Sequence, residues 1–138
     1  MLKLRVSPDQ ERFVGSIREA LEEAAAYPHA KPWYRVIYVG DDPVGFVMLS
    51  WNVHPQPPEI IGPWFLWKLL IDESAQGRGY GSMAVRQVAD LVRSEGAAEL
   101  LTSYTEGVGE PWPFYQLLGF APTGDRDADG EVILRLRL

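Results

Sequence analysis

The 138-residue chain has no cysteine, which excludes disulfides, thiolate metal sites and a catalytic thiol. It has only two histidines, His29 and His54. They are far apart and lack a ligand partner at metal spacing, so no metal site is predicted. Basic residues are outnumbered, 13 Lys and Arg against 19 Asp and Glu for a net charge of −6. No basic stripe of the kind that nucleic-acid binding requires is present. No apolar run approaches the ~20 residues of a membrane span, and Met1-Leu2-Lys3-Leu4-Arg5 lacks the apolar core of a signal peptide. The expectation is a cytoplasmic protein with neither nucleic acid nor membrane as partner, and an acidic surface that suits cationic small molecules.

What remains is globular in character. Hydrophobic residues make up 46% and charged residues 23%, ordinary for a folded chain. The length fits one domain, 1–138, able to bury about two-thirds of the surface of the unfolded chain.

Patterning then places the elements. Leu2, Leu4 and Val6 alternate with charged residues as in a short strand. Ser7-Pro8-Asp9-Gln10 resembles a helix start, and Ser16 with Glu19 makes a second capping box. Ile17, Ala20, Leu21 and Ala24 form an apolar helical face that should run to about Ala26, before Pro28. Trp33–Val39 and Val44–Trp51, separated by Gly40-Asp41-Asp42-Pro43, read as an antiparallel hairpin. Residues 52–63 hold Pro55, Pro57, Pro58 and Pro63 and should form a stiff loop. Trp64–Ile71 is a nearly unbroken apolar run, which predicts a strand buried on both faces. A helix follows with Ala84, Val88, Leu91 and Val92 on one face, ended by Gly96. Glu99–Tyr104 is a further strand, 113–118 a short helix ended by Gly119, and Phe120–Thr123 and Val132–Leu138 the last two strands. The fold class is mixed α/β (α+β). Its central sheet should be mostly antiparallel, with parallel pairing inside the unit Trp64–Tyr104.

The strongest local signal is Gln76-Gly77-Arg78-Gly79-Tyr80-Gly81, between an apolar strand and an amphipathic helix. A helix N-terminus offers unpaired N–H groups and partial positive charge, and glycines let backbone approach a phosphate closely, so the turn suits a pyrophosphate. A P-loop would need a lysine that Gly81-Ser82 lacks. A dinucleotide fingerprint would need a sheet that is parallel throughout, against the hairpin at the start of the chain.

A second segment, Pro113-Phe114-Tyr115-Gln116-Leu117-Leu118-Gly119-Phe120, follows after one further strand. In that order the two segments resemble the Gln/Arg-x-x-Gly-x-Gly turn and the aromatic-Tyr-x-x-x-Gly-Phe signature of the GNAT family of N-acetyltransferases. The resemblance covers roughly Trp33 to Leu138. The runs Phe65–Asp72 and Phe114–Gln116 look most like the bacterial spermine/spermidine acetyltransferase branch.

The resemblance implies acetyl-CoA as cosubstrate and direct acetyl transfer to the amine of a small molecule, a polyamine first. N–H groups of Gln76, Gly77, Arg78, Gly79, Tyr80 and Gly81 would hold the pyrophosphate. The strand edge at Leu70 and Ile71 would pair with the pantetheine arm as an added strand does, with an N–H near Leu70 polarising the thioester carbonyl. Tyr115 would protonate the departing thiolate.

Some positions depart from the family pattern. Where some polyamine acetyltransferases carry a carboxylate, the resemblance places Trp67. Glu59, His54, Asp72 and Glu110 are the alternatives for a base, against the simpler reading of each as a solvated surface residue. Glu110 also stands where the family often has asparagine, and is expected to face the acceptor side. By resemblance, Met1–Val6 is the end of the first helix and the first strand is absent. Trp33–Val39 is then an open sheet edge that invites a homodimer. Asp125–Gly130 imitates the start of a calcium loop, but Leu136 stands at the twelfth position, so an Asp-Gly hairpin turn explains it better. Those acids, with Glu131, are also positioned to draw in a polyamine, though exposed turn residues are the plainer reading. Trp51, Trp64 and Trp67 either line an acceptor site or pack in the core. A non-catalytic acyl-CoA-binding module remains the alternative function.

Overall fold

A computed structural model describes residues 8–107 and 109–138 of the chain. The strand-or-helix question at Met1–Val6 lies outside the described residues. Helix α1 runs Pro8–Ala26 without interruption. The second start predicted at Ser16 does not occur, because Phe13, Ile17, Ala20 and Ala24 form one continuous apolar stripe that is buried throughout. A break at Ser16 would turn half of that stripe away from the sheet.

Strands β1 (Pro32–Val39) and β2 (Asp42–Ser50) form the expected antiparallel hairpin. Gly40, at φ +61°, takes the left-handed turn position between them. Strand β3 (Phe65–Ile71) pairs antiparallel with β2, and helix α2 (Tyr80–Ser94) carries the chain over to β4 (Glu99–Tyr104), parallel to β3. Helix α3 (Trp112–Leu117) and strands β5 (Ala121–Arg126) and β6 (Val132–Arg137) complete the described chain. The sheet order is β1-β2-β3-β4-β6-β5, and β3–β4 is its parallel pair. Strand β1 is an edge strand among the described residues.

The two faces of the sheet are covered differently. On one, α2 and α3 bury Val47, Leu49, Leu66, Val85, Val88, Val92, Leu100, Tyr115, Phe120 and Leu134 in one cluster. The buried face of α2 is Ala84, Val85, Val88, Ala89 and Val92; Leu91, expected there, is only half-buried. On the other face, α1 packs on Phe46 and Met48. The loop 52–63 lays Ile61 over Leu101 and Ile133 on this second face. The tryptophan question resolves toward packing for Trp64, which is 6% exposed, and for Trp51, stacked on Trp33 and edge-on to Trp64 at centroid distances of 5.3 and 4.8 Å.

Strand β3 departs from expectation. Leu66 is its one fully buried residue, and the others are half-buried. A strand flanked by neighbours along its whole length would bury both faces. Here β3 leaves its parallel neighbour part-way, and that departure makes the site.

Candidate active site

Strands β3 and β4 pair at Phe65↔Leu101 and Leu66↔Thr102, and no further. The reason lies on the other side of β3. Against β2, Met48 faces Lys68 while Leu49 faces Leu66, so Trp67 is one residue too many. Such a bulge bends its strand and increases the local twist, which swings Trp67–Ile71 away from β4. Trp67 and Lys68 then project on the same face, where Glu23 of α1 holds both. Its carboxylate accepts from Trp67 Nε1 at 3.1 Å and pairs with Lys68 Nζ at 2.9 Å.

Backbone alternation decides which groups face the opening. Asp72 N donates to Val44 O at 2.8 Å, across from β3 toward β2. Successive residues of a strand alternate, so the N–H of Leu70 also points to β2, whereas those of Leu69 and Ile71 point into the fork. Within the expected edge Leu70–Ile71, the open donor is thus Ile71, with Leu69 one step before it.

The glycine turn stands at the mouth of the fork. Gln76 closes a short 3₁₀ turn (Glu73–Ala75): its N–H donates to Glu73 O at 3.3 Å, and its Nε2 donates to Ile71 O at 3.2 Å. Gly77 and Gly79 have φ of +79° and +82°, and a Cβ at either would meet nothing within 4 Å. These two glycines therefore serve backbone conformation and an open approach, and packing does not require them. Gly79 is the N-cap of α2, so the donors of the first helical turn, at Tyr80 and Gly81, follow directly. Gly81 serves packing instead, since a Cβ there would come within 3.3 Å of the Phe114 ring. The two sequence motifs, read separately, thus touch.

Asp72 is fixed in place rather than solvated, at 1% exposure. Ser74 donates to its Oδ2 at 2.6 Å, while Oδ1 has no hydrogen-bond partner among the described residues. It holds the approach to the turn and is not placed as a surface base. His54 and Glu59 are exposed on the proline-rich loop. Glu110 accepts from the Gly107 N–H at 2.9 Å and so braces its own loop.

Tyr115 is 8% exposed, with its ring edge-on to Phe114 and Phe120 at 5.1 and 5.3 Å. Burial pushes its hydroxyl above the ordinary tyrosine value, the Thr102 hydroxyl beside it pulls the other way, and the charge of Glu131 pushes up again. Thr102 in turn donates to Leu66 O at 3.0 Å. Thr102 and Leu66 are the last β3–β4 pair, so the Tyr115 hydroxyl sits at the fork, on the face of α2 and α3.

Three participants escaped the sequence reading. Neither the bulge at Trp67 nor its clasp by Glu23 has a sequence signature. Tyr104, at the end of β4, stacks on Trp112 at 6.2 Å. Its hydroxyl is raised first by burial, then by Glu110 and Glu106, against the opposing charge of Arg126. The Asp-Gly turn is as expected: Gly130 has φ +82°, and Asp127 Oδ1 accepts from the N–H groups of Asp129 and Glu131, both at 2.9 Å. No cluster of three or more metal-ligating side chains occurs among the described residues, and no described helix is long and apolar enough to cross a membrane.

A crossover helix thus starts on a glycine turn beside a forked parallel pair, with a buried tyrosine at the fork. The chain belongs to the acetyltransferase (GNAT) family, whose model matches residues 3–120. It is 28% identical over 138 residues to the spermine/spermidine N(1)-acetyltransferase of Bacillus subtilis, covering 97% of this chain and 88% of that protein. Among solved structures, an acetyltransferase from Thermus thermophilus superposes with a TM-score of 0.65 at 20% identity, covering 99% of this chain and 79% of the other. The PaiA N-acetyltransferase of Thermoplasma acidophilum, solved in complex with coenzyme A, gives 0.63 at 16% identity, with coverages of 96% and 80%.

Proposed function

We propose that the chain moves the acetyl group of acetyl-CoA directly onto the amine of a small molecule, a polyamine being the first candidate. A cytoplasmic location is part of the same reading. The observation that carries it is the fork, with open backbone donors of β3 on one side and the Tyr115 hydroxyl at its base. In this reading the N–H groups from Gly77 to Gly81 hold the pyrophosphate, with Gln76 shaping the turn and Arg78 beside it. The pantetheine arm lies along Leu70 and Ile71 in the position of an added strand. A neutral amine nitrogen attacks the thioester carbonyl, the oxyanion is stabilised by an N–H of Leu69 or Ile71, and the carbon–sulfur bond breaks. The thiolate takes its proton from Tyr115, and the proton shed by the attacking nitrogen, passed through water, restores the phenol. The named activity of the Bacillus relative supports the polyamine.

Calorimetric titration with acetyl-CoA, and with desulfo-CoA as control, tests the cosubstrate. Binding in the micromolar range followed by turnover on an amine panel is expected. Binding without turnover on any amine would favour a non-catalytic acyl-CoA sensor, and absence of binding would remove the reading altogether. Gly79→Ala should weaken acetyl-CoA by roughly tenfold or more. The added Cβ strains a left-handed backbone by about 1 kcal/mol and projects where the phosphates approach. Equal affinity would show that the turn is not the phosphate site.

The same reading includes a homodimer formed through the edge of β1, where Tyr34, Tyr38 and Val39 are 43–50% exposed. Sedimentation equilibrium should give twice the chain mass, and a proline at Val36 should shift it toward monomer. A wild-type monomer at micromolar concentration would refute the dimer.

A further inference from the structure

Past the fork, the first residue of β4 is Ser103. Its neighbour Thr102 faces α2 and α3, where Tyr115 lies, so Ser103 faces the side of α1 and the proline-rich loop. On that side it meets Glu131. Ser103 donates to Glu131 Oε1 at 2.7 Å, and Thr105 donates to Oε2 at 2.8 Å. The carboxylate is half-buried, and no Lys, Arg or His pairs with it among the described residues. The two guanidiniums nearest in sequence are engaged elsewhere, Arg135 with Glu99 at 2.8 Å, and Arg126 with Glu106 at 2.7 Å and with Gly130 O at 2.9 Å.

The backbone around Glu131 is held firmly. Its own N–H goes to Asp127 Oδ1, its carbonyl accepts from Asp127 N at 3.0 Å, and Arg126 ties the β5–β6 hairpin to the segment after β4. Two neutral hydroxyls leave a carboxylate with open lone pairs, and a partly desolvated anion gains most from a cation that completes its shell.

We propose that Glu131, presented by Ser103 and Thr105 at the fork on the face opposite Tyr115, binds a protonated nitrogen of the acceptor and thereby selects di- and polycationic amines. This deepens the acetyltransferase reading and rests on it. The amine then reaches the fork from the α1 face while the thiolate meets Tyr115 on the other. Glu131 is a specificity-determining residue that acts through the charge it holds.

The test is calorimetric binding of spermidine to the CoA-loaded protein, with CoA affinity measured separately, for wild type, Glu131→Gln and Asp129→Asn. Glu131→Gln keeps the shape of the site, exchanges one acceptor for a donor and removes the charge. It should weaken spermidine by tenfold or more, leave CoA affinity within twofold, and in turnover assays raise KM for spermidine more than it lowers kcat. Asp129→Asn, on the exposed turn, should leave spermidine binding within twofold. Equal loss in both variants would mean diffuse attraction by an acidic surface, and would overturn the proposal. So would unchanged binding in Glu131→Gln, or no spermidine binding by a wild type that still binds CoA. Failure of CoA itself to bind would instead strike the acetyltransferase reading.

Discussion

Tyr115→Phe is expected to lower kcat by about 10²–10⁴-fold, the range in which a positioned general acid contributes, while acetyl-CoA affinity changes by less than threefold. The argument is geometric first. The hydroxyl sits beside Thr102, whose own hydroxyl marks the last point where β3 and β4 touch, so it faces the place where a thioester in the fork would break. The leaving thiol has a pKa near 8.5, judged from cysteine, and a phenol that keeps its proton can donate to it. Burial raises the Tyr115 pKa above the ordinary 10.0. The sign follows: the acid is protonated, hence active, throughout the neutral range, and kcat should fall only as pH rises beyond 10. In Tyr115→Phe that alkaline limb should vanish along with most of the rate. The substitution retains the ring and its contacts with Phe114 and Phe120, so a stability change much above 1 kcal/mol is not expected. Rapid-quench single turnover with a saturating amine isolates the step. An unchanged rate would take Tyr115 out of the chemistry and leave it as core.

Phe46→Ala should cost about 3–5 kcal/mol of folding stability, measured by urea unfolding. Phe46 is 1% exposed and lies under α1 with Phe13, Ile17, Ala20 and Ala24, while Tyr34 stacks on it at 6.0 Å. The small alanines let the helix approach closely, so a cavity there cannot be filled by a neighbouring rotamer. Against a total of about 5–15 kcal/mol for a natural domain, this is a large share. Because β2 also carries Val47 and Leu49 into the opposite cluster, a loosened β2 is felt on both sides of the sheet. A loss below 1 kcal/mol would mean that α1 contributes little to the fold.

The fold was legible where pattern and chemistry agree. Runs rich in aromatic, β-branched and apolar residues on either side of a glycine turn gave β1 and β2, the stripe Ala84, Val88 and Val92 gave α2, and Gly119, at φ +100°, gave the end of α3. The glycine turn could be read as an open backbone turn at the start of α2, because it joins an apolar strand to an amphipathic helix. What escaped notice has a common cause. The bulge at Trp67 depends on how β2 and β3 fall into register, which is a pairing property that neither strand carries alone. The burial of β3 was overestimated for the same reason: an apolar run shows that a strand is flanked, not for how much of its length. Ser16 was misread because a capping box in an amphipathic stripe is overruled when the stripe continues on both sides. The carboxylates were hardest. Asp72 and Glu131 look like any acids of a turn, and only their hydroxyl partners, Ser74 for one and Ser103 with Thr105 for the other, distinguish them from solvated residues.

The fork also bears on how the molecule coheres. Strands β1, β2 and β3 form one hydrogen-bonded ribbon and β4, β6 and β5 another, and the backbone seam between them is two residue pairs long. The union of the halves therefore depends on side chains, chiefly those of α2 and α3 that pack on Leu66 from one ribbon and on Leu100 and Leu134 from the other. Cohesion that is apolar rather than hydrogen-bonded has no fixed spacing to satisfy, so the two ribbons can part slightly or close without a ladder having to slip. An extended chain laid into the fork would supply the missing length of seam, joining the ribbons as a keystone joins the sides of an arch.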